Sequence, residues 1–77
     1  MTYKETVEAI KKRCMRGDVS LICQAVPVST TIFYTACNKK DWGELTPREV
    51  LTINAALRYF KQRDQVAEQT KQMANEL

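Results

Sequence analysis

The strongest structural signal in the chain begins at Thr46-Pro47-Arg48-Glu49. In this capping-box pattern the Thr hydroxyl and the Glu carboxylate each accept a hydrogen bond from a free backbone amide, and proline fits the first helical position. Val50, Ile53, Leu57 and Phe60 follow at spacings of three, four and three residues. The spacing predicts an amphipathic helix from Pro47 whose apolar face packs on the rest of the chain.

The remainder of the chain also favours helices. Only two glycines and two prolines occur in 77 residues, too few for the frequent turns of a sandwich or barrel. A second capping box, Thr2-Tyr3-Lys4-Glu5, precedes an apolar stripe at helical spacing, and a left-handed Gly17 is expected to end this helix. The sequence therefore predicts a first helix over residues 3–15. The stripe consists of Tyr3, Val7, Ile10 and Cys14.

Two short helices are expected between these longer ones. Asp18 is expected to cap the first of them, which stops by about Val26 because Pro27 disfavours helical torsions in the residue before it. Ser29 is expected to cap the next, and Trp42, in the loop that follows, is expected to cover the small core. The apolar face of this third helix consists of Ile32, Phe33, Ala36 and Cys37.

The sequence thus predicts an all-α fold: a compact four-helix domain over residues 1–64 and a helical C-terminal tail over residues 65–77. After Phe60 the apolar residues no longer continue the same helical stripe. The later ones lie on a different stripe, together with Thr70. A helix running unbroken from Pro47 to Leu77 would extend about 46 Å, against about 30 Å for a compact domain of this size. The tail must project, break or pair, and both a solvated end and a homodimer contact through it stay open.

Charge and cysteine content limit the classes of function. The chain carries a net charge of +3 and no histidine, which permits nucleic-acid binding without requiring it. The odd number of cysteines and the absence of a C-x-x-C pair argue against a disulfide framework or a metal site. We expect Cys14, Cys23 and Cys37 to be reduced, buried and structural in a cytoplasmic protein.

Catalysis and membrane insertion are not expected. No histidine serves as a general base, no carboxylate pair has a recognisable spacing, and no glycine-rich loop could hold a phosphate. We therefore predict no catalytic residue, no cofactor and no small-molecule substrate. Apolar runs are too short to cross a membrane.

The segment Cys23–Phe33 resembles the helix-turn-helix of the lac-repressor and lambda-repressor type families. Cys23 takes the place of the small residue in the first helix, and Val28-Ser29 matches the Val-Ser of the turn. Ile32-Phe33 takes the place of the final apolar pair, and Asn38 falls where the lac-repressor type often closes the second helix. Pro27 departs from the pattern, because family turns usually need a positive φ there.

The resemblance implies a partner and a set of contacts. The third helix would enter the major groove of double-stranded DNA, with Ser29 capping it so that its amides can face a phosphate. Base contacts would come from Thr30, Thr31 and Thr35, with Tyr34 beside them. Phosphate contacts would come from Ser20, Asn38, Lys39 and Lys40.

Two functions stay open at this point. The resemblance implies a small bacterial or mobile-element DNA-binding protein, nucleoid-associated, acting as a transcriptional regulator or a recombination accessory factor. The alternative is a helical protein-interaction adaptor that keeps the shape without DNA contacts and docks through residues 61–77. The modest net charge and the threonine-rich face of the third helix favour this alternative.

Overall fold

A computed structural model describes all 77 residues and contains four α-helices and no strand. This architecture confirms the predicted all-α fold with a long C-terminal helix. Its longest dimension is 49 Å, against 26 and 19 Å in the other two directions. The helices are α1 (Tyr3–Arg13), α2 (Asp18–Ala25), α3 (Thr30–Cys37) and α4 (Pro47–Asn75), with a short 3₁₀ turn at Trp42–Glu44.

Both predicted capping boxes form. The backbone N–H of Glu5 donates to the hydroxyl of Thr2 over 3.2 Å, and the Thr2 N–H donates back to the Glu5 carboxylate. At the start of α4, the Thr46 N–H donates to Glu49 Oε1 over 2.8 Å, and the Glu49 N–H donates to the Thr46 hydroxyl. These bonds satisfy backbone donors that a helix N-terminus leaves free, so the starts of α1 and α4 are fixed locally.

The junction of α1 and α2 differs from its prediction. α1 ends at Arg13 because Cys14 is extended and the Met15 N–H donates to the Asp18 carboxylate over 2.8 Å. Gly17 does adopt the left-handed conformation, with a φ of 91°, but it precedes α2 and does not end α1. The prediction that Asp18 caps α2 was also wrong: Asp18 is the first residue of the helix, and its side chain is buried.

The core is a cluster of 11 buried apolar residues to which all four helices contribute. α4 packs mainly on α3 and α2. The cluster comprises Tyr3, Val7, Ile10, Ile22, Cys23, Phe33, Ala36, Cys37, Ile53, Ala56 and Phe60.

The buried face of α4 is rotated from the predicted stripe. Ile53 and Phe60 are buried as expected, whereas Val50 and Leu57 are 48% and 44% exposed. Glu49, Thr52 and Ala56 are buried instead. The small side chains of Thr52 and Ala56 allow close approach of the neighbouring helices, and the Thr52 hydroxyl is satisfied by donating to the Arg48 carbonyl over 2.8 Å.

An arginine cluster joins the C-terminal half of α4 to the α1–α2 junction. Asp18 accepts hydrogen bonds from the Tyr59 hydroxyl over 2.6 Å and from Arg63 over 2.8 Å. Arg13 forms an ion pair with Asp64 through both guanidinium nitrogens. We call these five residues, Arg13, Asp18, Tyr59, Arg63 and Asp64, the arginine cluster.

Beyond the arginine cluster, α4 continues without a break and every residue from Asp64 onward is exposed. Of the three possibilities for the tail, it projects in this single chain. The division at residue 64 into domain and tail stays a prediction. Taken singly, none of the helices has both the length and the apolar character to span a membrane; only the bent pair α2 and α3, counted together, passes that test.

Trp42 and the cysteines were predicted only in part. The Trp42 ring packs edge-on against Tyr3, with 4.8 Å between ring centroids, yet Trp42 is 46% exposed, so it covers the core incompletely. All three cysteines are free; Cys23 and Cys37 are buried, and Cys14 is half-buried. Burial raises the pKa of each thiol, which keeps the thiols protonated and poorly nucleophilic near neutral pH.

Candidate nucleic-acid interface

A sharp bend sets the orientation of α3. The axes of α2 and α3 meet at 103°, and residues 26–29 connect the two helices. The Val28 N–H donates to the Cys23 carbonyl over 2.9 Å and closes the turn, in which the Val26–Pro27 peptide is cis. One face of α3 therefore packs on the core while the opposite face is left to solvent.

The two faces of α3 differ in chemistry. Phe33, Ala36 and Cys37 are buried, as predicted, and Ile32 is half-buried at the edge of the core. The solvent face carries hydroxyl groups and one amide. The exposed residues on or beside this face are Ser29, Thr30, Thr31, Tyr34, Thr35 and Asn38, all predicted DNA contacts.

The side-chain hydroxyl groups along α3 differ in their hydrogen bonds and contacts. Ser29 occupies the N-cap position, but its side chain makes no capping hydrogen bond, so the predicted cap is positional only. The Thr35 hydroxyl donates to the Thr31 carbonyl over 2.8 Å, which uses its proton and leaves its oxygen able to accept. Tyr34 is 54% exposed, and its ring packs edge-on against Phe33.

A lysine groove lies at the C-terminal end of α3. Lys4, Glu8 and Lys11 of α1 line one side, and Asn38, Lys39 and Lys40 line the other; Val7 and Cys37 complete a groove of about 490 Å³. Four ammonium groups thus face a single carboxylate, which makes the groove electropositive. Asn38 belongs to both the groove and the α3 face, so the two surfaces are continuous.

The four lysines are not equally available. The Lys39 ammonium lies 4.0 Å from Glu49 Oε1, and Lys39 is half-buried. Glu49 is only 2% exposed, and its second carboxylate oxygen has no hydrogen-bond partner, so it attracts Lys39 towards the protein. Lys4, Lys11 and Lys40 are exposed. The predicted phosphate contact is therefore better supported for Lys40 than for Lys39.

Other predicted or basic residues lie elsewhere. Ser20 is exposed on the first turn of α2 and does not line the lysine groove. Arg13 of the basic first helix is held by Asp64. Lys4 and Lys11 line the groove but were not among the predicted contacts, although the sequence shows that they lie seven residues apart, two helical turns, and so share one face of α1.

A buried hydrogen bond links α1 to α3 next to the groove. The Tyr3 hydroxyl donates to the Ala36 carbonyl in the middle of α3. Burial, with smaller contributions from Cys37 and Glu49, raises the pKa of Tyr3 to about 12. Tyr3 therefore stays a neutral donor that ties α1 to α3, and it fixes the two sides of the lysine groove relative to each other.

No known family model, curated protein or solved structure matches the chain.

Proposed function

We propose that the chain binds double-stranded DNA, with α3 in the major groove and the lysine groove against the phosphate backbone. The observation that carries this proposal is the continuity of the polar α3 face with four lysines through Asn38. A helix that enters the groove needs an uncharged polar face for the bases and cations beside it for the phosphates. This surface offers both.

The bend between α2 and α3 supports the same function. Its angle of 103° lies within the range of about 90–120° found in DNA-binding helix-turn-helix units. A projecting helix of this kind fits the major groove of B-form DNA, which is about 12 Å wide. Mechanistically, Lys4, Lys11 and Lys40 would neutralise phosphates while Thr30 and Thr31 face the base edges.

The chemistry of the α3 face favours permissive recognition. Threonine can hydrogen-bond to several base edges and contact the thymine methyl group, whereas bidentate base contacts need Arg, Asn or Gln. Most of the binding free energy would therefore come from phosphate contacts. A transcriptional regulator or a recombination accessory factor with a broad site preference, associated with the nucleoid, fits such a surface.

Fluorescence anisotropy tests the proposal directly. A labelled random duplex of about 25 base pairs is titrated at several salt concentrations, and log affinity should fall linearly with log salt, with a slope of about −3 for three to four phosphate contacts. Duplex RNA of equal length is the matched control, because its deep, narrow major groove excludes a helix. DNA should bind more tightly. A folded protein that binds neither duplex at low salt would refute the proposal.

A further inference from the structure

The projecting tail has an apolar face with no partner in the single chain. Val66, Thr70 and Met73 follow at spacings of four and three residues and so lie on one side of α4, and Leu77 follows four residues later, just past the end of the helix. Val66 is 51% exposed and Met73 is 60% exposed. Glu68, Lys71 and Glu76 lie away from this side at helical spacing, so the face itself carries no charge.

A second unpartnered apolar surface lies nearer the core. The α2–α4 groove, of about 330 Å³, is lined by Ile22 and Ala25 of α2 and by Leu51, Ala55 and Tyr59 of α4. Leu51 is 58% exposed. The groove follows α4 from Leu51 to Gln62, so a helix from another molecule could lie in it.

The α2–α4 groove and the tail face lie on the same side of α4. Steps of four, three and four residues lead from Ala55 through Tyr59 and Gln62 to Val66, and these steps keep one helix face. If two α4 helices pair antiparallel about a midpoint near Asp64, the tail face of each lies along the α2–α4 groove of the other. Met73 then opposes Ala55, a large residue against a small one.

Charge favours this antiparallel arrangement over a parallel one. The groove segment, residues 51–62, contains Arg58 and Lys61 and no acidic residue, a net charge of +2. The tail segment, residues 66–77, contains Glu68 and Glu76 against Lys71, a net charge of −1. Antiparallel pairing brings opposite charges together, whereas parallel pairing brings like charges together.

The length of the contact favours the same arrangement. Two tails paired only with each other over residues 66–77 would share a contact about 18 Å long. Pairing over residues 51–77 extends the contact to about 40 Å and forms the tail–groove contact twice by symmetry. A single helix–helix contact of this kind suits a weak, reversible dimer.

We infer that the chain forms an antiparallel homodimer in which the tail of each copy occupies the α2–α4 groove of the other. This interface is separate from the α3 face and the lysine groove, so it can be tested whether or not the chain binds DNA.

Sedimentation equilibrium of the full chain measures the dimer. The mass should rise with concentration towards twice 8.9 kDa, with a dissociation constant of about 10–100 μM. Leu51→Glu in the groove and Met73→Lys on the tail should each raise that constant at least about tenfold, because each places a charge in an apolar contact and opposes the charge complementarity of the two segments. In the double variant the two new charges have opposite sign and lie about one helical turn apart across the interface, within reach of a long lysine side chain, and the constant should return to within about threefold of the original.

Val50→Lys is the matched control, an exposed apolar residue of α4 outside the proposed interface, and it should leave the dimer unchanged. Because all three positions are exposed, circular dichroism should show the same helicity for every variant. A monomer at all concentrations would overturn the inference. So would a dimer that Met73→Lys weakens and Leu51→Glu does not, since that result means that the tails pair only with each other.

Discussion

The arginine cluster and the lysine groove both contain basic side chains, but they differ in how many of these side chains are paired within the chain. In the arginine cluster, Arg63 donates to the buried Asp18 and Arg13 pairs with Asp64, so both guanidinium groups are used inside the chain. In the lysine groove, only Lys39 forms an ion pair, with Glu49. The arginine cluster is therefore engaged within the fold, whereas three of the four groove lysines form no ion pair within the chain.

This difference shows why the net charge alone does not locate a candidate binding surface. The charge of +3 counts every cation alike, yet only those without an internal partner can neutralise phosphates. Arginine suits the first setting because its planar group bonds a carboxylate and packs on an aromatic ring together; Arg63 lies 4.8 Å from the centre of the Phe60 ring. Exposed lysines on flexible stems suit the second.

The largest expected effect is on the stability of the arginine cluster. Asp18→Ala leaves Arg63 and the Tyr59 hydroxyl without their shared acceptor, and we expect a loss of about 3 kcal/mol in the free energy of unfolding. Urea denaturation followed by circular dichroism measures it. Asp64→Ala is the control, because its ion pair is exposed and should matter far less. Equal losses for the two variants would show that Asp18 has no special role.

The lysine groove should respond in binding and not in stability. Replacing Lys4, Lys11 and Lys40 together with alanine should weaken DNA binding about 10- to 100-fold and reduce the salt slope by about 2 to 3. Anisotropy titration measures both quantities. The matched control replaces Lys12, Lys61 and Lys71, which removes the same charge from outside the lysine groove. Equal losses from both triple variants would mean that net charge alone drives binding.

The stability that the arginine cluster contributes should also depend on pH. Hydrogen bonds from Tyr59 and Met15, aided by Arg63, lower the pKa of Asp18 in the folded chain. The resulting stability is fully present above the unfolded pKa of about 3.9 and is lost as pH falls through the lower folded value. Urea denaturation at a series of acidic pH values should show this loss, and Asp18→Asn should reduce it. An unchanged acid profile in that variant would contradict the assignment.

The smallest expected effect concerns base contacts on α3. Thr31→Ala removes an exposed hydroxyl and methyl group without touching the core, so stability and the salt slope should stay the same. The preferred DNA sequence should change, with a discrimination of about 1 kcal/mol at one position. Selection from a randomised duplex library followed by sequencing measures that preference. Identical preferences before and after the substitution would remove Thr31 from the reading face.

Features that depend on neighbouring residues were predictable from the sequence. The two capping boxes fix the starts of α1 and α4 because donor and acceptor lie three residues apart. Pro27 similarly stops α2 by Val26. The division of α3 into a buried and an exposed face followed from short-range spacing.

Features that depend on residues distant in the sequence were not predictable from it. The sequence around Asp18 predicts a helix cap. In the fold, Tyr59 and Arg63, which are distant in the sequence, donate hydrogen bonds to its carboxylate. The apolar stripe of α4 identified Ile53 and Phe60 correctly but included Val50 and Leu57, because spacing does not reveal on which side the neighbouring helices cross. In the lysine groove, Lys4 and Lys40 meet only through the packing of α1 on α3.

The most direct test of the central claim is an amide chemical-shift map by NMR during titration with duplex DNA. We expect the largest changes in α3, at Asn38–Lys40 and around Lys4 and Lys11 of α1. The amides of the arginine cluster should change little, because their side chains are already satisfied within the chain. Changes concentrated at Arg13, Arg63 or the tail, with α3 unaffected, would contradict the account.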